Sequence, residues 1–140
     1  MKDVNGSIQY KGRSYRLVFN LNVMEAIQEE YGSIEDWGNL TDGSANAKKK
    51  YEATHDGMWD DLTDKEKAKY SAEPDAKAVI FGFTEMINEG IDIDNEDGAD
   101  LKPMTLKQVG RMITEIGLQS ATESLKDTVI KSAKSEEKNA

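Results

Sequence analysis

The sequence contains no cysteine, one histidine and two prolines among its 140 residues. Without cysteine the chain forms no disulfide framework, thiol nucleophile or thiolate metal site, which is compatible with a reducing compartment. No apolar run approaches the roughly 20 residues of a membrane helix, and the start, "MKDVNGSIQY", lacks the apolar centre of a signal peptide. We therefore expect a soluble, cytoplasmic protein that does not bind membranes.

Residues suited to catalysis are scarce. The one histidine, His55, precedes Asp56 in the polar stretch "THDG", and adjacent residues seldom form a working dyad. A solvated loop histidine is the favoured interpretation. No Ser–His–Asp set, P-loop or dinucleotide-binding fingerprint is recognisable. We therefore expect no enzymatic activity and no cofactor, and an enzyme acting through His55 is the least favoured alternative.

The stretch "DIDNEDG" superficially resembles a calcium-binding loop. Asp92, Asp94 and Glu96 alternate as the first ligands of an EF-hand do. The sixth position of such a loop must be glycine and the twelfth a bidentate glutamate, whereas this chain has Asp97 and Pro103 there. The spacing therefore predicts no dedicated metal site.

The chain is acidic, with 27 Asp and Glu against 18 Lys and Arg and a net charge of −9. Phosphate backbones repel such a chain, so nucleic-acid binding is disfavoured. Residues 85–100 hold seven acids and no base, whereas the first sixteen residues hold four bases and one acid. The acidic segment has two interpretations that the sequence leaves open: a solvated loop, or a docking patch for a basic partner.

The first 44 residues show a change from strand to helix periodicity. "SIQYKGRSYRLVF" alternates apolar and polar residues around Gly12 and predicts a β-hairpin. A helix should follow, capped by Asn22 with Glu25 and ended by Gly32, and Ser33 with Asp36 should begin another. "TDGS", residues 41–44, should interrupt the chain.

The middle third, residues 45–73, is charged and has few large apolar side chains. One or two short, exposed helices are expected here, with Thr63 and Glu66 as a capping box, and the segment is expected to be partly mobile.

Two longer helices are predicted in the second half. The first begins near Pro74 and Asp75, buries an apolar stripe over residues 76–87 and ends at Gly90, with Gly82 allowing close packing. An acidic loop, residues 91–102, should follow. A capping box of Thr105 and Gln108 opens the second helix, whose stripe covers residues 106–116 before Gly117 bends or breaks it. A further stripe continues to Val129.

These patterns predict a mainly α protein with a small N-terminal β-hairpin, in the α+β class, with a compact helical domain of about four to six helices. The domain should span residues 1–134. Residues 43–73 are predicted to be an inserted, partly mobile helical segment, and residues 135–140 a charged flexible tail.

The N-terminal third resembles the tail assembly chaperones that long-tailed phages and prophages of Gram-positive bacteria encode. That family combines a hairpin of the type "Y-x-G-x-x-Y-x-L-x-F" with "N-x-N-x-M-x-A-I-Q-E". The matching residues are Tyr10, Gly12, Tyr15, Leu17, Phe19, Asn20, Asn22, Met24, Ala26, Ile27, Gln28 and Glu29. The segments "DAKAVIFGFTEMINEGIDI" and "PMTLKQVGRMITEIG" are also similar to the family's later helices, whereas residues 43–73 show no such likeness.

The resemblance implies a non-enzymatic chaperone in phage tail assembly. Such proteins bind the tape measure protein in the host bacterial cytoplasm and keep it soluble until tail tube subunits polymerise around it. They are absent from the mature virion. Many also have a longer form made by ribosomal frameshifting, so the implied partners include the tail tube protein and such a form of this chain.

A partner-binding groove is predicted between the stripes of residues 76–87 and 106–116, because amphipathic helices commonly bind in apolar grooves. The predicted partner-binding residues are Phe83, Ile87, Met104, Val109, Met112 and Ile116. Two alternative functions are a structural tail component, such as a tube or connector subunit, and an acidic phage-encoded inhibitor that mimics the charge of DNA.

Overall fold

The computed structural model describes residues 6–139, and it describes side chains as far as residue 133. Two strands and seven α-helices follow one another: β1 Ser7–Tyr10, β2 Arg13–Arg16, α1 Leu21–Tyr31, α2 Ile34–Thr41, α3 Ser44–Thr54, α4 Asp64–Lys67, α5 Ala76–Glu96, α6 Leu106–Ile116 and α7 Leu118–Asn139. A 3₁₀ turn, Trp59–Asp61, lies between α3 and α4. The predicted fold class is confirmed, although seven helices form where four to six were expected. Within residues 6–139 no helix has both the length and the apolar character to cross a membrane.

The predicted hairpin is confirmed, and it is fastened to α5. Lys11 and Gly12 have φ angles of 50° and 74°, as the two-residue type I′ turn of a hairpin requires. After β2, the Leu17 amide donates to the carbonyl oxygen of Gly6 at 2.8 Å, and the Val18 amide donates to that of Met86 at 3.2 Å. Residues 17–19 are buried as a result.

Helix α1 begins earlier than its predicted cap. The cap is Asn20, whose backbone is extended and whose Oδ1 accepts from the Val23 amide at 3.2 Å. The predicted cap, Asn22, is the second residue of the helix, and its side chain instead donates to Glu89 at 2.9 Å. The chain turns helical directly after the buried residues 17–19, because Asn20 satisfies the Val23 amide, one of the first amides of α1 that have no acceptor within the helix.

Most of the other predicted helix boundaries are confirmed. Ser33 caps α2 by accepting from the Asp36 amide, and the capping boxes of Thr63 and Thr105 are both present. Gly117, with φ 96°, separates α6 from α7. Local hydrogen-bonding chemistry determines these boundaries, so the sequence alone was sufficient to find them.

The predicted end of α5 at Gly90 is wrong, since the helix continues to Glu96. Gly90 allows the hairpin to pack closely on α5, since a Cβ atom at this position would be 3.1 Å from the carbonyl oxygen of Arg16. The next residue, Ile91, is buried in the core. The segment expected as an acidic loop, residues 91–102, is therefore helical over its first half.

Helix α5 is the centre of the fold and packs against β2, α1, α2, α6 and α7. Trp37 of α2 lies over Gly82, and its indole Nε1 donates to the carbonyl oxygen of Ala78 at 3.1 Å. The fully buried large side chains include Leu17, Ile27, Phe83, Met86, Ile87, Val109, Met112 and Leu125. This main core includes no residue between 41 and 77.

Residues 44–72, which we call the lobe, form a satellite of the main core. Its two ends meet: the Asn46 side chain donates to the carbonyl oxygen of Glu73 at 2.7 Å, and the Asp75 amide donates to that of Leu40 at 2.9 Å. The short helices predicted for residues 45–73 are present as α3 and α4. The predicted mobility of this segment stays a prediction.

The predicted C-terminal tail, residues 135–140, falls at the limit of the described chain. The backbone of α7 is helical as far as Asn139. The side chains from residue 134 onward and the whole of Ala140 lie outside the described residues.

Candidate functional site

The six predicted partner-binding residues do not form an open groove. Helices α5 and α6 pack directly on each other, so their two apolar stripes fill the space between them. Four of the six side chains are fully buried in the core, namely Phe83, Ile87, Val109 and Met112, while Met104 and Ile116 are partly buried against it. The expected open groove is therefore wrong for this conformation, and the four buried side chains cannot contact a partner without opening the fold.

The loop between α5 and α6 is held on α5 by hydrogen bonds from two asparagine side chains. Asn88 forms hydrogen bonds to both the amide and the carbonyl of Met104, and Asn95 does the same to Leu101. These bonds hold Met104 against the core and leave little freedom in the loop. The loop therefore does not open an alternative path into the predicted groove.

The acidic segment is partly neutralised by the hairpin beside it. Arg16 Nη2 lies 2.6 Å from Asp94 Oδ1, and Glu89 accepts hydrogen bonds from Asn20 at 2.8 Å and Asn22 at 2.9 Å. Within the described residues, no group of three or more acidic or histidine side chains is placed to hold a metal ion. Two of the seven acids thus serve the attachment of α5 to the N-terminal region.

Glu85 lies one helical turn before Glu89 on α5. Burial raises the pKa of the Glu85 carboxyl above its ordinary value, and the neighbouring Glu89 charge raises it further. Tyr31 shows a similar effect at the other end of α1, where burial and then the charge of Asp75 raise the pKa of its phenol. Its hydroxyl oxygen is buried without a hydrogen-bond partner and its ring packs edge-on against Phe81, 5.5 Å between centroids.

His55 is exposed, as the solvated-loop interpretation requires, but it also has a structural contact that the interpretation does not include. Its ring stacks on Tyr51 with 4.1 Å between centroids and 7° between planes, and its Nδ1 lies 3.1 Å from the Tyr51 carbonyl oxygen. No described hydrogen bond joins His55 to Asp56. Tyr51 and His55 are four residues apart, a spacing that places side chains together on a helix and could have indicated the contact.

The lobe encloses a small aromatic cluster of its own. Tyr51 contacts Trp59 and Tyr70 edge-on, with centroids 5.8 Å and 5.0 Å apart. The Trp59 amide donates to the carboxylate of Glu52 at 2.9 Å, which fixes the 3₁₀ turn against α3. Trp59 is thereby buried although two aspartates, Asp60 and Asp61, follow it in the chain.

Between α2 and the lobe lies a cleft of about 840 Å³, which we call the α2–lobe cleft. Its apolar lining comes from Leu40, Ala45, Ala47, Trp59, Ala68, Tyr70 and Ala72. Its charged lining comes from Glu35, Asp36, Asp42, Lys48, Asp60 and Lys67. This volume is in the range of known ligand sites. No local sequence pattern indicates this cleft, because its walls come from two separate segments of the chain, within residues 35–48 and 59–72.

Several of the charged groups in the α2–lobe cleft have partners in the chain itself. Lys48 Nζ lies 3.5 Å from Asp60 Oδ2, and Lys67 Nζ lies over the Trp59 ring, 5.8 Å from its centroid. Glu35 and Asp36, in the first turn of α2, take part in none of the described ion pairs. The cleft therefore presents two carboxylates beside an apolar floor.

No protein-family model matches the chain, and neither curated proteins nor solved structures give a significant match.

Proposed function

We propose that this protein is a non-enzymatic tail assembly chaperone, which binds the tape measure protein of a long-tailed phage or prophage until tail tube subunits polymerise around it. One observation carries the proposal. The twelve residues of the N-terminal motif lie together in one continuous hairpin–helix unit, residues 7–31, and several of them have identifiable structural roles there.

The turn and the core positions of the shared motif each have a physical reason. Gly12 adopts the positive φ that the tight hairpin turn demands. Leu17 and Phe19 are buried directly after β2, where they join the main core. These motif residues thus have a physical role in the hairpin–helix unit of this chain.

The two asparagines of the motif also have distinct roles. Asn20 caps α1, and both Asn20 and Asn22 donate to the carboxylate of Glu89 on α5. The spacing "N-x-N" therefore joins the start of one helix to the middle of another. Glu89 lies in the second segment through which the chain resembles the family, so the two segments are in contact in this fold.

The proposed role agrees with the chemistry of the chain. A long helical protein that awaits assembly exposes apolar stripes, and such stripes aggregate unless another surface covers them. The net charge of −9 favours solubility of the complex and attraction to basic segments of a partner. Release would follow when tube subunits compete for the same stripes.

Co-expression with the tape measure protein encoded in the same phage or prophage genome tests the proposal. We expect the tape measure protein to move from the insoluble to the soluble fraction and to be retained with the tagged chaperone in a pull-down. Mass spectrometry of purified virions should lack this chain. An insoluble tape measure protein together with this chain in mature virions would instead indicate a structural tail component.

A further inference from the structure

We propose that the α2–lobe cleft binds a basic amphipathic segment, with the apolar side chains of that segment on the cleft floor and its Lys or Arg side chains at Glu35 and Asp36. That this segment belongs to the tape measure protein rests on the proposed function. The site itself is argued from the cleft alone, and its test does not need that partner.

The floor of the cleft fits apolar side chains of a partner. The exposed ring of Tyr70 and the half-buried Leu40 lie beside the buried indole of Trp59 among four alanines, which leave room rather than fill it. The volume of about 840 Å³ accommodates several side chains, not merely one. Aromatic side chains in such positions commonly supply much of the binding free energy at protein interfaces.

The rim of the cleft favours positive charge. Glu35 and Asp36 stand in the first turn of α2, while the two cleft lysines are already engaged, Lys48 with Asp60 and Lys67 with the Trp59 ring. The excess of unpaired carboxylate at the rim attracts a basic segment and disfavours an acidic one. The charge of the whole chain has the same sign, so long-range attraction adds to the local effect.

The lobe can also adjust to an occupant without disturbing the fold. None of its side chains belongs to the main core, and the described hydrogen bonds between the lobe and the body lie where residues 40–46 meet residues 72–75. A small movement of the lobe relative to α2 therefore changes the width of the cleft while the core stays packed.

A synthetic amphipathic peptide of lysine and leucine, titrated into the full-length protein, tests the site. Trp59 lies in the cleft and Trp37 in the main core, so binding should change the tryptophan fluorescence of the wild type but not of Trp59→Phe. Charge reversal by Glu35→Lys with Asp36→Lys should weaken binding about tenfold or more. The neutral double variant Glu35→Gln with Asp36→Asn should weaken binding less than charge reversal does. This neutral variant provides the test if charge reversal unfolds α2.

The matched control is Glu25→Lys with Glu29→Lys, which changes the net charge equally on the exposed face of α1. This control should bind the peptide almost as the wild type does, and a glutamate–leucine peptide should not bind. Equal weakening by the two charge reversals, or a fluorescence change that persists in Trp59→Phe, would overturn the cleft as the site.

The same variants separate this inference from the proposed function. If the wild type and the Glu35/Asp36 variants retain the tape measure protein equally, that protein does not bind in the cleft, while the proposed chaperone function stands. If the wild type fails to retain it but the peptide binds in the cleft, the proposed function is wrong while the cleft stands.

Discussion

The side chain of Asn88 on α5 bonds both backbone polar groups of a single residue, Met104. Its Oδ1 accepts from the Met104 amide at 2.7 Å, and its Nδ2 donates to the Met104 carbonyl oxygen at 2.9 Å. Asn95, two helical turns further along α5, holds Leu101 in the same way, with distances of 2.9 Å and 3.0 Å. The loop before α6 is thus held on α5 by two pairs of hydrogen bonds between asparagine side chains and the loop backbone.

Asn88→Ala should lower the free energy of unfolding by about 2 kcal/mol. The substitution leaves the partly buried amide and carbonyl of Met104 without partners, and an unsatisfied buried backbone group costs about 1–3 kcal/mol. Urea denaturation followed by circular dichroism measures the change. Asn39→Ala, at an exposed position with no described side-chain hydrogen bond, is the control and should differ from the wild type by less than about 0.5 kcal/mol.

Two helix glycines should respond to alanine in opposite directions. A Cβ atom on Gly82 would lie 2.5 Å from Cζ2 of Trp37 and 3.2 Å from Cδ1 of Leu125, so Gly82→Ala should destabilise the protein by about 1–3 kcal/mol. A Cβ atom on Gly110 would meet only Cδ1 of Ile80, at an ordinary 3.6 Å. Gly110→Ala should therefore stabilise by up to about 1 kcal/mol, since alanine favours helix. Thermal unfolding of both variants measures the two changes in stability. Equal shifts of the melting temperature in Gly82→Ala and Gly110→Ala would contradict the contact with Trp37.

The features that the sequence predicted correctly depend on local chemistry. The hairpin turn at Gly12 and the caps at Ser33, Thr63 and Thr105 each need only residues within four positions along the chain. The turn and the caps form as predicted because no contact with a distant segment replaces these local hydrogen bonds. The close approach at Gly82 was also expected, from its place within an apolar stripe.

The features that the sequence does not reveal depend on contacts between distant segments. Gly90 looked like a helix end, but the glycine serves the approach of Arg16, 74 residues earlier in the chain. The apolar stripes of α5 and α6 looked like two walls of a groove, yet they pack on each other. Periodicity shows which face of a helix is apolar but not what covers it, so the groove was wrong and the α2–lobe cleft was overlooked.

Val109→Asp should unfold the protein at neutral pH. Val109 is fully buried, and a carboxylate at that place has no partner, which costs more than about 4 kcal/mol against a typical total of about 5–15 kcal/mol. Leu106→Asp on the same helix is the matched control. Leu106 is 54% exposed at the start of α6, where a negative charge is favourable, so its stability should change by less than about 0.5 kcal/mol. A folded Val109→Asp protein that had lost partner binding would restore the predicted groove.

Replacement of the lobe, residues 44–72, by a short glycine linker should leave the main core folded. The two ends already meet, since Gly43 lies so close to the Ala72 carbonyl oxygen that no Cβ atom would fit, and no lobe residue belongs to the main core. Trp37 is then the remaining tryptophan and reports on the core by fluorescence during urea denaturation. A single cooperative transition is expected. A shortened chain without such a transition would show that the lobe is part of the folding unit.

Glu85→Gln should stabilise the protein at neutral pH, by about 0.5 kcal/mol, because it removes a like charge one helical turn from Glu89. Burial raises the folded-state pKa of Glu85 above its ordinary value of 4.5, so the charged form costs stability above that raised pKa. As pH falls through the raised pKa, the wild type gains a proton and stability, and the advantage of the variant should shrink and vanish below the unfolded value. Urea denaturation at a series of pH values measures this. Glu89→Gln removes an equal charge but weakens the bonds from Asn20 and Asn22, so it should not stabilise; an advantage for Glu85→Gln that did not change with pH would contradict the proposed cause.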